Sequence, residues 1–311
     1  MSERPPAPDL SLVIPVYNEE GNVGPLHVEL THVARTLGRS YEIVFVNDGS
    51  TDGTLSRLQE LRRIDPHLRV VELDGNFGEA AALCAGFAES RGAVMVTLDG
   101  DGQNDPGAIP ALLDRLGPDV DVVSGRRRER KEAFASRVLP SRIANWLIAR
   151  TTGVPVHDCG CGLKAYRREV VADAQLPRGM NRFLPAILGA PATRVAEVWV
   201  SDRPRGSGRS HYGLSRTFVV LRDLLSLRLL VLSAARRLPL RPALGGAQLA
   251  TAIVLVGMVL AGLGAPGGAV GTLLLGAAAL LAAGVGWAII HNLRRWVRAQ
   301  EEGVFRVRRV L

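Results

Sequence analysis

Lysine is almost missing from this chain: of 38 basic residues only Lys131 and Lys164 are lysines, and all the others are arginines. Genome composition alone can produce that bias. Cysteine is scarce, with three in 311 residues. Cys159 and Cys161 form the sequence CGC, but no second ligand pair follows, which argues against a zinc site. With Cys84 they are expected in a reducing compartment, where disulfides are rare. No G-x-G-x-x-G follows the first apolar run, so a dinucleotide-binding oxidoreductase is disfavoured. There is no internal repeat and no coiled-coil heptad.

The longest absence is of charge. From Pro242 to Leu293 there is no Asp, Glu, Lys or Arg. Within that stretch, residues 244–263 and 269–290 are each about the 20 residues a helix needs to cross a bilayer. The intervening GLGAPGG (262–268) is too short to hold a domain. The pattern predicts a two-helix transmembrane hairpin; the other reading is a buried hydrophobic hairpin of a soluble protein. Arg236, Arg237 and Arg241 precede the first span, and Arg294, Arg295 and Arg298 follow the second. The positive-inside rule then puts both ends in the cytoplasm. The opening MSERPPAPDL has no apolar core of a signal peptide, so residues 1–240 are expected to stay cytoplasmic. The expectation is a multi-pass protein of the cell (inner) membrane.

A formal net charge of +8 raises nucleic acid as a partner. The anionic surface of a lipid bilayer accounts for it better, since each juxtamembrane arginine gains about 1 kcal/mol there. No nucleic-acid partner is expected. Gly271, Gly276 and Gly284 would let spans pack closely, which is compatible with a homo-oligomer.

What is present begins with alternation. LSLVIPVY (10–17), YEIVFVND (41–48), LRVVELD (68–74) and AVMVTLD (93–99) read as strands. Between them, helices are expected over about 22–37, 54–63 and 77–92, the last stopped by Gly92. Strands alternating with helices imply an α/β fold with a mostly parallel, doubly wound sheet. Ligands of such sheets bind at the carboxyl ends of the strands. Three strands end there in acidic or amide residues: Asn18 and Glu19, Asn47 and Asp48, Asp99 and Asp101. After Val120 the pattern becomes α+β, with strands at 121–125, 162–168 and 194–200, a helix near 136–150 and a basic loop at 202–213. Residues 214–237 alternate apolar clusters with arginines, as in helices lying in a membrane interface. Packing of that face on the catalytic domain is the other reading.

Asp99-Gly-Asp101-Gly-Gln103 follows an apolar strand directly. Two glycines let both carboxylates turn toward one centre. Mg²⁺ or Mn²⁺ takes hard oxygen ligands, typically one or two carboxylates plus substrate phosphates, and Gln103 can add an amide oxygen. In VNDGSTDGT, Asp48 can accept from a nucleobase N–H while the segment also suits a helix cap. PVYNEE offers Tyr17 for stacking and Glu19 for a ribose or base.

SLVIPVYNEEGNV, VNDGSTDGT, NFGEAAALCAGF and LDGDGQNDP, in that order, resemble inverting family 2 glycosyltransferases of the GT-A fold. SRVLPSRIANWLIARTTGVPVHDCGCGLKAYRREV (136–170) and RPRGSGRSHYG (203–213), followed by interface helices and a hairpin, look like the polyprenyl-phosphate branch, which includes dolichyl-phosphate mannose synthases and undecaprenyl-phosphate glucosyltransferases. The resemblance implies a GT-A domain over 1–213, juxtamembrane helices over 214–241, two spans over 242–293 and a basic tail over 294–311. It implies a nucleotide-sugar donor such as GDP-mannose or UDP-glucose, a polyprenyl phosphate acceptor, and transfer of a hexose with inversion. Pro15, Tyr17, Glu19 and Asp48 would line the nucleoside pocket; Asp99, Asp101 and Gln103 would hold the metal and diphosphate. Arg126, Arg137 and Ser141 would meet the lipid phosphate, with Arg126 not ranked against Arg127 and Arg128. Asp158, Arg205, Ser210 and Tyr212 would close near donor or acceptor.

The family usually has Ala where this chain has Gly100, which reads as conservative, and often Lys where it has His211. A family 2 enzyme with another lipid or polysaccharide acceptor is a further reading. NLRRW (292–296), however, begins with Asn and follows the last span, unlike the Gln-x-x-Arg-Trp of polysaccharide synthases. A non-catalytic nucleotide-sugar sensor would be free to lose Asp99 or Asp101, and both are present.

Overall fold

The computed structural model describes residues 6–128, 156–174, 176, 179–181, 184, 194–203, 284, 287, 290, 291, 294 and 305–311. The chain divides into two compact units, one of residues 1–211 with 299–311 and the other of 212–298. In the second unit the described residues are helical, and Trp287 stacks on His291 one turn later, with ring centroids 5.2 Å apart.

Among the described residues, the first unit is built on one eight-stranded sheet in the order β7-β5-β6-β4-β1-β2-β3-β8. Strands β1 (Leu10–Val16), β2 (Tyr41–Asn47), β3 (Leu68–Leu73) and β4 (Val94–Thr97) form its parallel half, β1 pairing with both β2 and β4. Every residue of β1 is buried. A strand covered on both faces cannot alternate apolar and polar, hence the near-continuous apolar run. Helices α1 (Glu20–Thr36) and α2 (Thr54–Ile64) cover one face, packing Leu26, Leu30 and Leu58 on Leu12, Ile14 and Phe45. Helix α3 (Glu79–Glu89) covers the other, with Ala82, Ala85 and Phe87 on Val13, Val44 and Val46. A Pro106–Ala108 turn leads into α4 (Ile109–Arg115).

The other half is mixed. β6 (Lys164–Arg167) runs antiparallel to both β4 and β5 (Val122–Arg127), while β7 (Val195–Val200) runs parallel to β5. A short α5 (Arg168–Val171) follows β6.

Two details differ from the sequence expectations. α3 ends at Ser90, two residues before Gly92, because Ser90 is extended and its hydroxyl donates to the Gly86 carbonyl. Gly92 instead packs on β1, where a Cβ would lie 2.6 Å from the Ser11 nitrogen. The second concerns the basic tail. Val307–Val310 forms β8, antiparallel to β3, a strand absent from the sequence reading. Arg309 Nε and Arg308 Nη1 donate to the buried Glu72 carboxylate at 2.5 and 3.1 Å, so the tail's charge serves the sheet edge.

Among the described residues no helix is long and apolar enough to cross a membrane. Apart from single positions between 284 and 294, the two expected spans lie outside the described residues. So do the interface helices, the 136–150 helix and most of the 202–213 loop.

Candidate functional site

The ends of β1 and β2 are stitched together. Asn18 takes a left-handed φ of 56°, which asparagine tolerates better than most residues. It donates its N–H to Ser50 Oγ (3.0 Å) and accepts the Thr51 N–H (2.8 Å), while the Glu19 N–H meets Thr54 Oγ1 at 2.8 Å. PVYNEE and NDGSTDGT thus form one surface, on which Tyr17 is 44% exposed and open to a stacking partner. Pro15 is buried in β1. Asp48 is buried as well, and its two carboxylate oxygens accept the N–H groups of Phe77 (2.7 Å) and Gly78 (2.8 Å), fixing the approach to α3. Gly49 permits this fold-back, with a φ of 67° and the Gly75–Asn76 backbone where a Cβ would sit.

The aspartate turn closes on itself. The Asp99 N–H donates to Asn104 Oδ1 (3.0 Å), the Gln103 N–H donates to Asp101 Oδ1 (3.1 Å), and Gly102 turns the chain at a φ of 73°. Gly100 has an ordinary backbone but no free space: a Cβ would lie 2.6 Å from Val16 Cγ1 and 2.9 Å from the Pro15 carbonyl. The reading of Gly100 as a conservative replacement for Ala is therefore corrected in this chain. Behind the turn, Gly162 leaves room for the Asp99 carboxylate, which a Cβ there would strike.

Burial pushes Asp99 up to about 8, and the nearby charges of Glu79 and Asp101 add to the shift, while Lys164 and Arg127 oppose it. Lys164 is itself buried, its Nζ donating to the carbonyls of Cys159 and Cys161. A carboxylate pushed toward neutrality by another carboxylate is what a hard divalent cation relieves, so the donor set fits Mg²⁺ or Mn²⁺. Among the described residues no group of three or more His, Cys, Asp and Glu side chains converges. All three cysteines are free and buried, with burial pushing the Cys84 and Cys161 thiols up to about 12.

Three adjacent arginines leave β5, and their surroundings separate them. Arg127 grips Asp158 with Nε (2.7 Å) and Nη2 (2.9 Å) and reaches Asp202 with Nη1 (3.3 Å). Arg126 lies over the half-exposed Trp199, 4.2 Å from the ring centroid, with Glu197 3.9 Å from its Nη1. Arg128 is exposed, and its N–H donates to the Val200 carbonyl. Asp158, assigned from the sequence to donor or acceptor, is the partner of Arg127. Arg137, Ser141, Arg205, Ser210 and Tyr212 lie outside the described residues. Sequence reasoning missed Glu79, Asn104, Gly162, Lys164 and Asp202 around Asp99. Only Lys164, one of two lysines, stood out in composition, and nothing in its spacing pointed to this place.

Residues 11–174 match the family model described as Glycosyl transferase family 2. Dodecaprenyl-phosphate galacturonate synthase of Rhizobium johnstonii is 42% identical over 232 residues, covering 73% of this chain and 69% of that protein. Undecaprenyl-phosphate 4-deoxy-4-formamido-L-arabinose transferase of Pseudomonas paraeruginosa is 40% identical over 218 residues, 70% of this chain but only 64% of that one. Among solved structures, glucosyl-3-phosphoglycerate synthase from Mycobacterium tuberculosis, in complex with Mn²⁺, uridine-diphosphate and glucosyl-3-phosphoglycerate, matches with a TM-score of 0.55. The match covers 71% of this chain and 79% of that one at 20% identity, a likeness of fold alone. The family match spans both stitched loops and the aspartate turn, and the chain belongs to glycosyl transferase family 2, with a GT-A type of α/β fold.

Proposed function

We propose that this protein transfers a sugar from a nucleotide-sugar donor to a polyprenyl phosphate at the cytoplasmic face of a membrane, with inversion at the anomeric carbon. The observation that carries the reading is the pair of partly buried Asp99 and buried Asp101 at the end of β4, beside the β1–β2 surface and faced by Lys164 and Arg127. The names of the two polyprenyl-phosphate relatives support the acceptor class. The proposed anchor is the hairpin of residues 242–293, with the basic stretches at its ends on the cytoplasmic side.

Tyr17, Glu19 and Asp48 would bind the nucleoside; Asp48 also keeps its two backbone partners. Asp99, Asp101 and Gln103 would hold Mg²⁺ or Mn²⁺, which when bound supplies charge neutralisation for the nucleoside diphosphate leaving group. The acceptor is a phosphate monoester with a second pKa of about 6, so at neutral pH the nucleophile is already ionised. No general base is then required. What the residues must do is hold two anions side by side, and arginine suits that task by its permanent charge and phosphate-matching fork. Arg126, with Arg137 and Ser141, is assigned to the acceptor phosphate, and the loop carrying Arg205, Ser210 and Tyr212 to closure near the donor or acceptor.

Membranes carrying the protein should convert polyprenyl phosphate to a lipid-linked sugar when given a panel of radiolabelled GDP- and UDP-sugars. The panel includes GDP-mannose, UDP-glucose, a uronic acid donor and a 4-formamido-pentose donor. Absence of product from every donor would remove the proposal, and product formation resistant to EDTA would remove the metal.

A further inference from the structure

Asp99 sits in a circuit of hydrogen bonds completed by a segment of backbone and a close packing contact. Its N–H donates to Asn104 Oδ1 at 3.0 Å. The Asn104 side chain hydrogen-bonds to Asp202, with which it also forms an isolated antiparallel bridge. Asp202 accepts Arg127 Nη1 at 3.3 Å, and the remaining two nitrogens of that guanidinium hold Asp158. The Asp158 carbonyl accepts the Cys161 N–H across a turn, and the next residue, Gly162, accepts Thr97 Oγ1 at 2.8 Å and has no room for a Cβ beside the Asp99 carboxylate. The circuit leaves from the Asp99 N–H through hydrogen bonds and returns to its carboxylate through the 158–162 backbone and the packing of Gly162.

We propose that Arg127 is a positioning residue that fixes Asp99 for the divalent cation, leaving the acceptor phosphate to its neighbour Arg126. All three of its guanidinium nitrogens face carboxylates already. Moving it onto a phosphate would break both of its hydrogen bonds to the buried carboxylate of Asp158. Arg126 is differently placed: its side chain is 34% exposed, and the exposed ring of Trp199 steadies one face of the guanidinium. Strand geometry makes the division, because consecutive residues of a strand point to opposite faces. The inference rests on the proposed metal-dependent transfer.

The test uses the purified full-length chain in detergent, with Mn²⁺ binding read by electron paramagnetic resonance and transfer kinetics read in parallel. Arg127→Met is expected to weaken Mn²⁺ binding about 10-fold and to lower kcat about 100-fold, as displacement of a reacting geometry by an ångström does. The KM for polyprenyl phosphate should stay within about twofold, whereas Arg126→Met should raise it about 10-fold with Mn²⁺ binding unchanged. Arg127→Met with wild-type Mn²⁺ affinity, or with its main effect on acceptor KM, overturns the proposal. Should Arg127→Met fail to fold, Asp202→Asn breaks the same circuit with little change in volume. It is expected to weaken Mn²⁺ binding, and unchanged binding overturns the proposal. If the wild type yields no lipid-linked product, the functional reading fails while the Mn²⁺ measurement still decides the role of Arg127.

Discussion

Gly162 stands so close to the Asp99 carboxylate that a single added methyl would occupy its place. The obstacle is a side-chain end, which can swing away, so the fold should survive a substitution that the site does not. Gly162→Ala is therefore expected to keep a thermal midpoint near the wild type and to lose Mn²⁺ binding and transfer by about 100-fold. A variant that binds Mn²⁺ normally would show that Asp99 is not held as described.

Gly100 makes the opposite prediction. The groups in the way are Val16 and the Pro15 carbonyl, and backbone cannot rotate aside. Gly100→Ala should cost about 1–3 kcal/mol of stability by overpacking. Urea unfolding of the wild type and variant measures it, and equal midpoints would contradict the packing. The comparison matters because an alanine at this position reads as harmless from motif resemblance.

The raised pKa of Asp99 gives stability a definite pH dependence. In the folded state it is pushed up to about 8, above the usual carboxylate range, because burial and the Glu79 and Asp101 charges disfavour ionisation. The stability linked to this group is complete below the unfolded pKa of about 4 and drains away as pH rises toward 8. A divalent cation binds the ionised form and reverses that loss. The Mg²⁺-induced rise in thermal midpoint should thus be larger at about pH 8.5 than at about pH 6, and Asp99→Asn should abolish the difference. A Mg²⁺ shift independent of pH would sink this account.

The last strand should matter more than a tail does. β8 covers the edge of β3, and Arg308 and Arg309 are the cations facing buried Glu72. Deleting residues 305–311 exposes an unpaired edge and leaves that carboxylate without them. We expect the thermal midpoint to drop by about 5 °C or more, with increased light scattering on heating. An unchanged midpoint would mean that β8 contributes nothing to the sheet.

Much of the central sheet was legible because buried parallel strands must be apolar along their whole length, as β1 is. Its helices were marked by their alternation with the strands, although α3 stopped at Ser90 through a side-chain hydrogen bond that no periodicity announces. β8 was illegible for a different reason. VRRV carries two arginines, and it becomes a strand only because β3 presents an edge and Glu72 presents a charge.

By itself the sequence determined the chemistry of the strand ends: acidic and amide residues where a doubly wound sheet places its ligands, and an aspartate pair alternating with glycines. Local pattern suffices there, since a strand end and its turn are set by neighbours in the chain. Tertiary structure alone decided which of three consecutive arginines is spent on internal carboxylates. Asp158 and Asp202 lie 31 and 75 residues from Arg127, and their charges reach it only once β5, β6 and β7 are side by side. The same convergence decided the environment of Asp99, because burial and nearby charge are properties of the packed sheet and of no segment alone.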